Sequence, residues 1–288
     1  MDLKFSKISL FASLVFITMG YSQDQKNKKN VANIDLSHWT LTTPAQDPKK
    51  PGKTFDLNYP EIFDFASNET AKKYMYEDAK DKSIVFYAFP SGVSTANSHF
   101  SRSELRETME IGNKNVNWTF AQGGYFKGTY AIEDVSKEAD GKYSRVIIAQ
   151  IHGILTDSQQ ELIGQKDKNA APILKIFWDQ GKIRVKTKVL KNQNASLKDM
   201  LPATAWGDDK GRDFKEKIDF NTKFTLEIKV SDGRLEVIMN GSESFVYEDI
   251  NIKKWGVFEN YFKAGNYFQS TNANTFAKVK IYDLQVSH

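Results

Sequence analysis

Three short stretches of the sequence place polar side chains on one face of an extended strand, where they could hold and act on a polar ligand. In the stretch YFKAGNYFQ, which begins at residue 261, alternation puts phenol, ammonium and amide groups on the same face. These side chains are Tyr261, Lys263, Tyr267 and Gln269. Gly265 interrupts the row, as is typical where a ligand or another backbone comes close. The stretch therefore predicts a strand that binds something polar.

The two other stretches show the same alternation. In RSELRE, the side chains of Arg102, Glu104 and Arg106 share one face. In VIIAQIH, a strongly apolar strand ends with Gln150 and His152 side by side. Taken singly, each pattern has an ordinary explanation. The charged row could be a cross-strand ladder of salt bridges in which Glu104 orients the two arginines, and the Gln-x-His pair could be surface decoration.

Taken together and in this order, the RSELR, QIH and YFKAGNYFQ stretches resemble the three motif regions of the family-7 alginate lyases. The resemblance begins near the stretch HWTLTTP at residue 38 and extends to Val286. It implies a catalytic domain with a β-jelly-roll fold. It also implies cleavage of alginate, a chain of 1,4-linked uronates, by removal of the C5 proton and expulsion of the C4 oxygen.

Such an elimination makes specific demands on the side chains. The C5 hydrogen is a poor acid beside an ionised carboxylate, so donors that are already in place must neutralise that carboxylate. An arginine offers a planar fork of N–H groups, a glutamine offers an amide N–H, and a histidine offers a further donor. A phenol can protonate the leaving oxygen, and a histidine can also act as a base.

The resemblance assigns these tasks to four residues. It implies that Arg102 and Gln150 neutralise the carboxylate, that Tyr267 is the acid and the base for one uronate epimer, and that His152 is the base for the other. Which of the two is the base for which epimer stays open. The other polar side chains of the motifs are expected to bind the substrate: Glu104, Arg106, Tyr261, Lys263 and Gln269.

Ile151, the middle residue of the Gln-x-His motif, bears on substrate preference. In the family, isoleucine at this position accompanies guluronate-containing substrates, so the resemblance implies a preference for guluronate-rich or mixed blocks. Alternation points Ile151 away from Gln150 and His152, so any influence must act through packing. The resemblance leaves open whether the enzyme is endolytic or exolytic. It also leaves open how strict the block preference is and what the pH optimum is.

The first residues have the layout of a secretory signal peptide. Two lysines precede an apolar run of about a dozen residues, too short to span a bilayer, and small residues follow at Gly20 and Ser22. We expect residues 1–22 to be the signal, 23–30 a disordered lead-in and 31–288 the catalytic domain. An N-terminal membrane anchor is the alternative. The expected location is extracellular or periplasmic, with no membrane span in the mature protein.

Alternating apolar segments separated by turn signals predict an all-β fold, a jelly roll or concanavalin-like sandwich of two antiparallel sheets with a substrate groove. Strands are predicted over residues 83–89, 124–132, 173–178, 182–189, 224–230, 235–239 and 276–282. Short helical pieces are predicted over 59–65 and 68–74, the second capped by Asn68. The long polar stretches 156–170 and 191–219 are expected to border the groove.

Composition and motifs argue against several other functions. A net charge of +4 is too mild to indicate nucleic-acid binding. With 0 cysteines and 4 scattered histidines, no metal or cofactor site is expected, although structural calcium stays open. Glu104 and Glu107 fall on opposite faces of a strand, so they cannot form a glycosidase pair. The alternative to a monomeric enzyme acting on alginate is a non-catalytic module that binds anionic glycan.

Overall fold

The structure, a computed structural model, describes residues 32–288. The predicted signal peptide, residues 1–22, and the predicted lead-in, residues 23–30, lie outside the described residues. Between residues 32 and 288, no helix has the length and apolar composition needed to cross a membrane.

Two sheets make up most of the described chain. The first has eight strands: β1 (Asn33–Ile34), β4 (Met75–Asp78), β5 (Ser83–Ala88), β8 (Gly124–Val135), β14 (Phe224–Ser231), β15 (Arg234–Met239), β16 (Glu243–Tyr247) and β18 (Ala277–Ser287). The second has ten strands: β2 (Trp39–Gln46), β3 (Thr54–Leu57), β6 (Arg102–Glu107), β7 (Trp118–Thr119), β9 (Val146–Ile154), β10 (Asn169–Asp179), β11 (Lys182–Leu190), β12 (Trp206–Asp208), β13 (Arg212–Lys217) and β17 (Glu259–Phe268).

The strand order mixes segments that are far apart in sequence. The first sheet runs β16-β15-β14-β8-β18-β5-β4, with β1 beside β18, and the second runs β12-β11-β10-β9-β17-β6-β2-β3, with β13 beside β11 and β7 beside β17. The short β1 pairs with β18 in parallel. The other named pairings in the described chain are antiparallel. The predicted all-β jelly roll of two antiparallel sheets is confirmed.

The core lies between the two sheets, because alternate residues of each strand turn inward. On β17, Phe262, Ala264, Asn266 and Phe268 are fully buried and face the other sheet, while Lys263 and Tyr267 face away from it. The amide of Asn266 donates to the backbone carbonyls of Phe86 and Ala277 on that sheet. The ring of Phe262 packs 5.3 Å from the ring of Phe126 on β8, centroid to centroid, and thereby joins the two sheets. The outer face of the ten-stranded sheet is consequently left to polar side chains.

The seven strands predicted from alternation are all present, with ends that differ by a few residues. The two predicted helical pieces contain only the single 3₁₀ turns Glu61–Asp64 and Ala71–Lys73. The N-cap position of the second turn is Thr70 and not the predicted Asn68. The side-chain oxygen of Asn68 nevertheless accepts hydrogen bonds from the backbone N–H groups of Thr70 and Ala71.

Alternation missed three short helices: α1 (Asp157–Ile163), α2 (Leu197–Met200) and α3 (Ile250–Trp255). The stretch 191–219, predicted as a loop, contains α2, a 3₁₀ turn, β12 and β13. None of these elements is long enough to show two full helical periods or a sustained strand pattern. Local capping defines α1, since Thr156 and Gln159 form a capping box at its start and Gly164 is left-handed at its end.

Candidate active site

A groove of about 680 Å³ lies on the outer face of the ten-stranded sheet. Eight of the residues predicted from the motifs line it: Arg102, Arg106, Gln150, His152, Tyr261, Lys263, Tyr267 and Gln269. The ninth, Glu104, is fully buried beneath them. The three motifs therefore meet on one surface, although they begin at residues 102, 150 and 261 of the sequence.

Adjacent strands bring the motifs together. β17 lies between β6 and β9, so that Lys263 is directly opposite Arg106 on one side and Gln150 on the other. Tyr267 is likewise opposite Arg102 on β6. Since directly opposed side chains in an antiparallel pair are close neighbours, the register alone makes the motif residues contact one another.

Gly265 allows β17 and β6 to approach closely. Its φ is +133°, and a Cβ atom placed there would lie 2.8 Å from the carbonyl oxygen of Ser103 and 3.0 Å from Cα of Glu104. The space beside Gly265, which the sequence predicts to admit a ligand or another backbone, is therefore occupied by the backbone of β6. This close approach holds the central strand of the groove against the strand that carries the arginines.

Glu104 organises the middle of the groove floor. Its carboxylate accepts hydrogen bonds from Arg102 Nη1 at 2.9 Å and Gln150 Nε2 at 2.6 Å, and it pairs with Lys263 Nζ at 2.5 Å. Burial alone would raise the pKa of Glu104, but the charges of Lys263 and Arg102 hold it below its usual value. Burial and the nearby Arg102 lower the pKa of Lys263 to about 8. One buried anion thus positions three donors.

Two expectations about Glu104 need correction. It does not orient both arginines, because Arg106 donates instead to the carbonyl oxygens of Glu107 and Lys114, at 2.7 and 2.9 Å, and to the side chain of Asn117. Its carboxylate also lies beneath the groove-lining side chains and is fully covered by them, so it acts on a ligand through the side chains that it holds. The guanidinium of Arg106 stacks 4.1 Å above the ring of Tyr261.

The imidazole of His152 is held in one tautomer. Its Nδ1 lies 2.9 Å from the carbonyl oxygen of Gly153, and since a carbonyl only accepts, Nδ1 carries the proton. Burial, assisted by the charge of Lys263, lowers the pKa of His152 to about 3. The ring stacks on Tyr261, with the planes 10° apart. Near neutral pH, Nε2 of His152 is therefore an unprotonated acceptor, which fits a base better than a donor.

Tyr267 is fixed from three directions. Its phenolic oxygen lies 2.6 Å from Oγ of Ser98, the guanidinium carbon of Arg102 lies 3.8 Å above its ring, and Phe100 packs against it at 6.2 Å between centroids. Ser98 and Phe100 belong to the segment before β6, which alternation did not single out. The nearby residues Thr95, Ala96 and Asn97 also line the groove.

Residues of both predicted stretches border the groove, together with residues of the segment before β6 that alternation missed. Asn169 and Ala170 line it from the first predicted stretch, and Ala203 from the second. Asn97 Nδ2 donates to Asp167 Oδ2 at 3.1 Å and so ties the missed segment to the chain before β10. The described residues contain no group of three or more histidine, cysteine, aspartate or glutamate side chains arranged to hold a metal ion.

Comparison with known proteins agrees with this architecture. Residues 34–288 match the family model for alginate lyase. The chain therefore belongs to the alginate lyases of polysaccharide lyase family 7. Family membership supports a polysaccharide lyase that acts on alginate. No curated protein matches the chain.

Several solved structures share the fold. Alginate lyase A1-II', a member of polysaccharide lyase family 7, is 29% identical with a TM-score of 0.68, over 89% of this chain and 96% of that one. A variant of A1-II' in complex with the substrate GGMG is 28% identical, with a TM-score of 0.67 over 89% of this chain and 94% of that one. Alginate lyase PA1167 from Pseudomonas aeruginosa is 27% identical, with a TM-score of 0.65 over 88% of this chain and all 100% of that one.

Proposed function

We propose that this protein cleaves the 1,4-linked uronates of alginate by β-elimination. A base removes the C5 proton, the electron pair forms the C4–C5 double bond, and the C4 oxygen leaves with a proton from an acid. The observation that carries the proposal is that an unprotonated His152 and the hydroxyl of Tyr267 share one groove with Arg102 and Gln150.

Arg102 and Gln150 neutralise the substrate carboxylate in this proposal. Glu104 takes one N–H of each side chain, so that their remaining N–H groups can bind a second carboxylate. Because these donors are oriented before substrate arrives, little reorganisation is needed when charge develops at C5. Lys263 adds positive charge beside them.

His152 and Tyr267 carry the protons. Nε2 of neutral His152 accepts the C5 proton of one epimer, and Tyr267 protonates the leaving C4 oxygen. For the other epimer, whose C5 hydrogen lies on the opposite face of the sugar ring, Tyr267 serves as both base and acid. A groove that only binds glycan, the alternative function, would not need a proton donor and a proton acceptor in it.

The test is the ultraviolet absorbance of the unsaturated uronate when alginate is mixed with the purified protein. Tyr267→Phe keeps the ring but loses the transferable proton, so turnover is expected to fall by about 10²–10⁴-fold while binding of alginate persists. Tyr125→Phe, on the other sheet, is the matched control and should keep wild-type turnover. Alginate binding without any rise in absorbance would favour the binding module instead.

We further propose a preference for guluronate-rich and mixed blocks over mannuronate blocks. Ile151 supports this only indirectly, since its side chain is fully buried in the core and acts on Gln150 and His152 through the strand. One methylene is worth about 1 kcal/mol of burial, which biases a choice between epimers without enforcing it. Initial rates on the three block types test the preference. Faster cleavage of mannuronate blocks would mean that the loops determine it.

Export and oligomeric state belong to the same proposal. The signal-like pattern of residues 1–22 supports secretion of a protein that begins near Gln23. N-terminal sequencing of protein recovered from the medium or periplasm tests this, and an intact Met1 on that protein would contradict it. We propose a monomer, which light scattering of the purified protein checks.

A further inference from the structure

Two lysines extend the positive charge of the groove beyond the residues assigned above. Lys175 on β10 is directly opposite Gln150 on β9, and Lys188 lies on β11, the next strand. Both side chains line the groove. Strands in a sheet are about 4.8 Å apart, so the two lysines lie one and two strands, or roughly 5 and 10 Å, from the strand that carries His152.

A single carboxylate holds both lysines. Asp208 on β12 pairs with Lys175 Nζ through one oxygen and with Lys188 Nζ through the other, each at 2.7 Å. The lysine side chains are only 16% and 13% exposed. Burial lowers the pKa of Lys175, although Asp208 opposes this, and the two lysines hold the pKa of Asp208 low against its own burial. Each ammonium therefore faces its own oxygen of the same carboxylate.

The charges of this cluster do not balance. A structural tie between β11 and β12 needs only Lys188 and Asp208, which are direct cross-strand partners. Lys175 adds a second ammonium to the same carboxylate, which brings two like charges together. The formal charge of the three side chains is then one positive unit. The cost of desolvating largely buried charges offsets their mutual attraction, so stability does not explain the second lysine. A bound anion would balance the surplus charge.

We propose that Lys175 and Lys188, held in place by Asp208, form a subsite that binds a uronate carboxylate of the chain away from the bond that is cleaved. This inference rests on the proposed function, because it extends the same groove along the same polymer. Every uronate carries one carboxylate, so a chain lying across the strands presents a further carboxylate beyond Gln150. The groove therefore favours chains long enough to reach β11.

The kinetic test compares Lys188→Gln with wild type on polymeric alginate and on oligouronates of increasing length. For chains that reach the subsite, KM is expected to rise roughly tenfold, the value of one charge-assisted hydrogen bond, with a smaller change in kcat. Lys188→Arg keeps the charge and should stay near wild type. Lys229→Gln is the control, because Lys229 is exposed on β14 of the other sheet and does not line the groove.

A binding measurement separates this inference from the proposed function. In a Tyr267→Phe background, calorimetric affinity for polymeric alginate is expected to fall roughly tenfold when Lys188→Gln is added. Equal affinity with and without that change would overturn the subsite. An equal loss of affinity in Lys229→Gln would also overturn it, because that loss would indicate only the general electrostatic field of the protein. Absence of lyase activity in the wild type would overturn the proposed function, while the calorimetric result would still decide the subsite.

Discussion

The hydroxyl of Ser98 lies 2.6 Å from the phenolic oxygen of Tyr267. Ser98 Oγ also lies 3.1 Å from the carbonyl oxygen of Phe100, so its single proton can go to either neighbour. While Tyr267 holds its proton, it can donate to Ser98, and Ser98 can donate to the carbonyl. When Tyr267 has given its proton away, Ser98 can rotate and donate to the phenolate. A serine in a loop thus supports both states of the tyrosine.

Ser98→Ala is expected to lower kcat by about three- to tenfold, the value of one net hydrogen bond, with little change in KM. Ser98→Thr keeps the hydroxyl and should recover most of the loss. Ser94→Ala is the control for loop order, since the Ser94 hydroxyl donates to the backbone carbonyl of Ser98. If Ser94→Ala reduced kcat as much as Ser98→Ala, the loop rather than the hydroxyl would be responsible.

Arg102→Lys keeps a positive charge but loses the planar fork and the stacking on Tyr267. We expect kcat/KM on alginate to fall by about 10²-fold, as when one preorganised donor is removed from a charged transition state. Arg145→Lys, outside the groove, is the matched control. Near-wild-type kinetics of Arg102→Lys would show that Arg102 supplies only charge.

Glu104→Gln removes the anion from between two buried cations. The free energy of unfolding is expected to drop by about 3 kcal/mol, because Arg102 and Lys263 are left without compensation. Glu227→Gln, which breaks the partly exposed pair with Lys127, should cost much less. Denaturant titrations of both variants measure the difference, and equal losses would contradict the central role of Glu104.

Glu104→Gln should also change the dependence of stability on pH. The folded-state pKa of Glu104 is lowered, so its contribution is present above its unfolded-state pKa and is lost as the pH falls through the folded value. The wild type therefore loses this stabilisation in acid, and the glutamine variant has none to lose. Unfolding curves across the acid range show whether the two proteins converge there.

His152 should remain neutral well below pH 6.5. Burial lowers its pKa to about 3 in the folded protein, whereas in the unfolded chain His152 has its ordinary pKa of 6.5. Between these two pH values the unfolded chain binds a proton that the folded protein does not bind. Stability therefore decreases as the pH falls from about 6.5 towards about 3. NMR titration of the His152 ring, assigned with His152→Asn, checks this. Protonation of that ring near pH 6.5 would contradict a partly buried, neutral base.

Alternation along single strands predicts much of this molecule. It indicates the seven main strands, and it indicates that Arg102, Gln150 and Tyr267 each lie on the polar face of a strand. It also explains why Ile151 is in the core. These properties are local, because the side of a strand on which a residue lies depends on the chain just before and after it. The order of the three motifs indicates the family, which the match over residues 34–288 confirms.

Other features depend on contacts between distant parts of the chain. Strict alternation would place Ile148 with Gln150, but Ile147 lines the groove, because the pairing of β9 with β10 shifts by one residue there. The partners of Glu104 lie on β6, β9 and β17, so only the strand order could reveal that it holds Gln150 and Lys263 and leaves Arg106 to other partners. Ser98 belongs to a loop without periodicity, and its position beside Tyr267 results from packing across 169 residues of sequence.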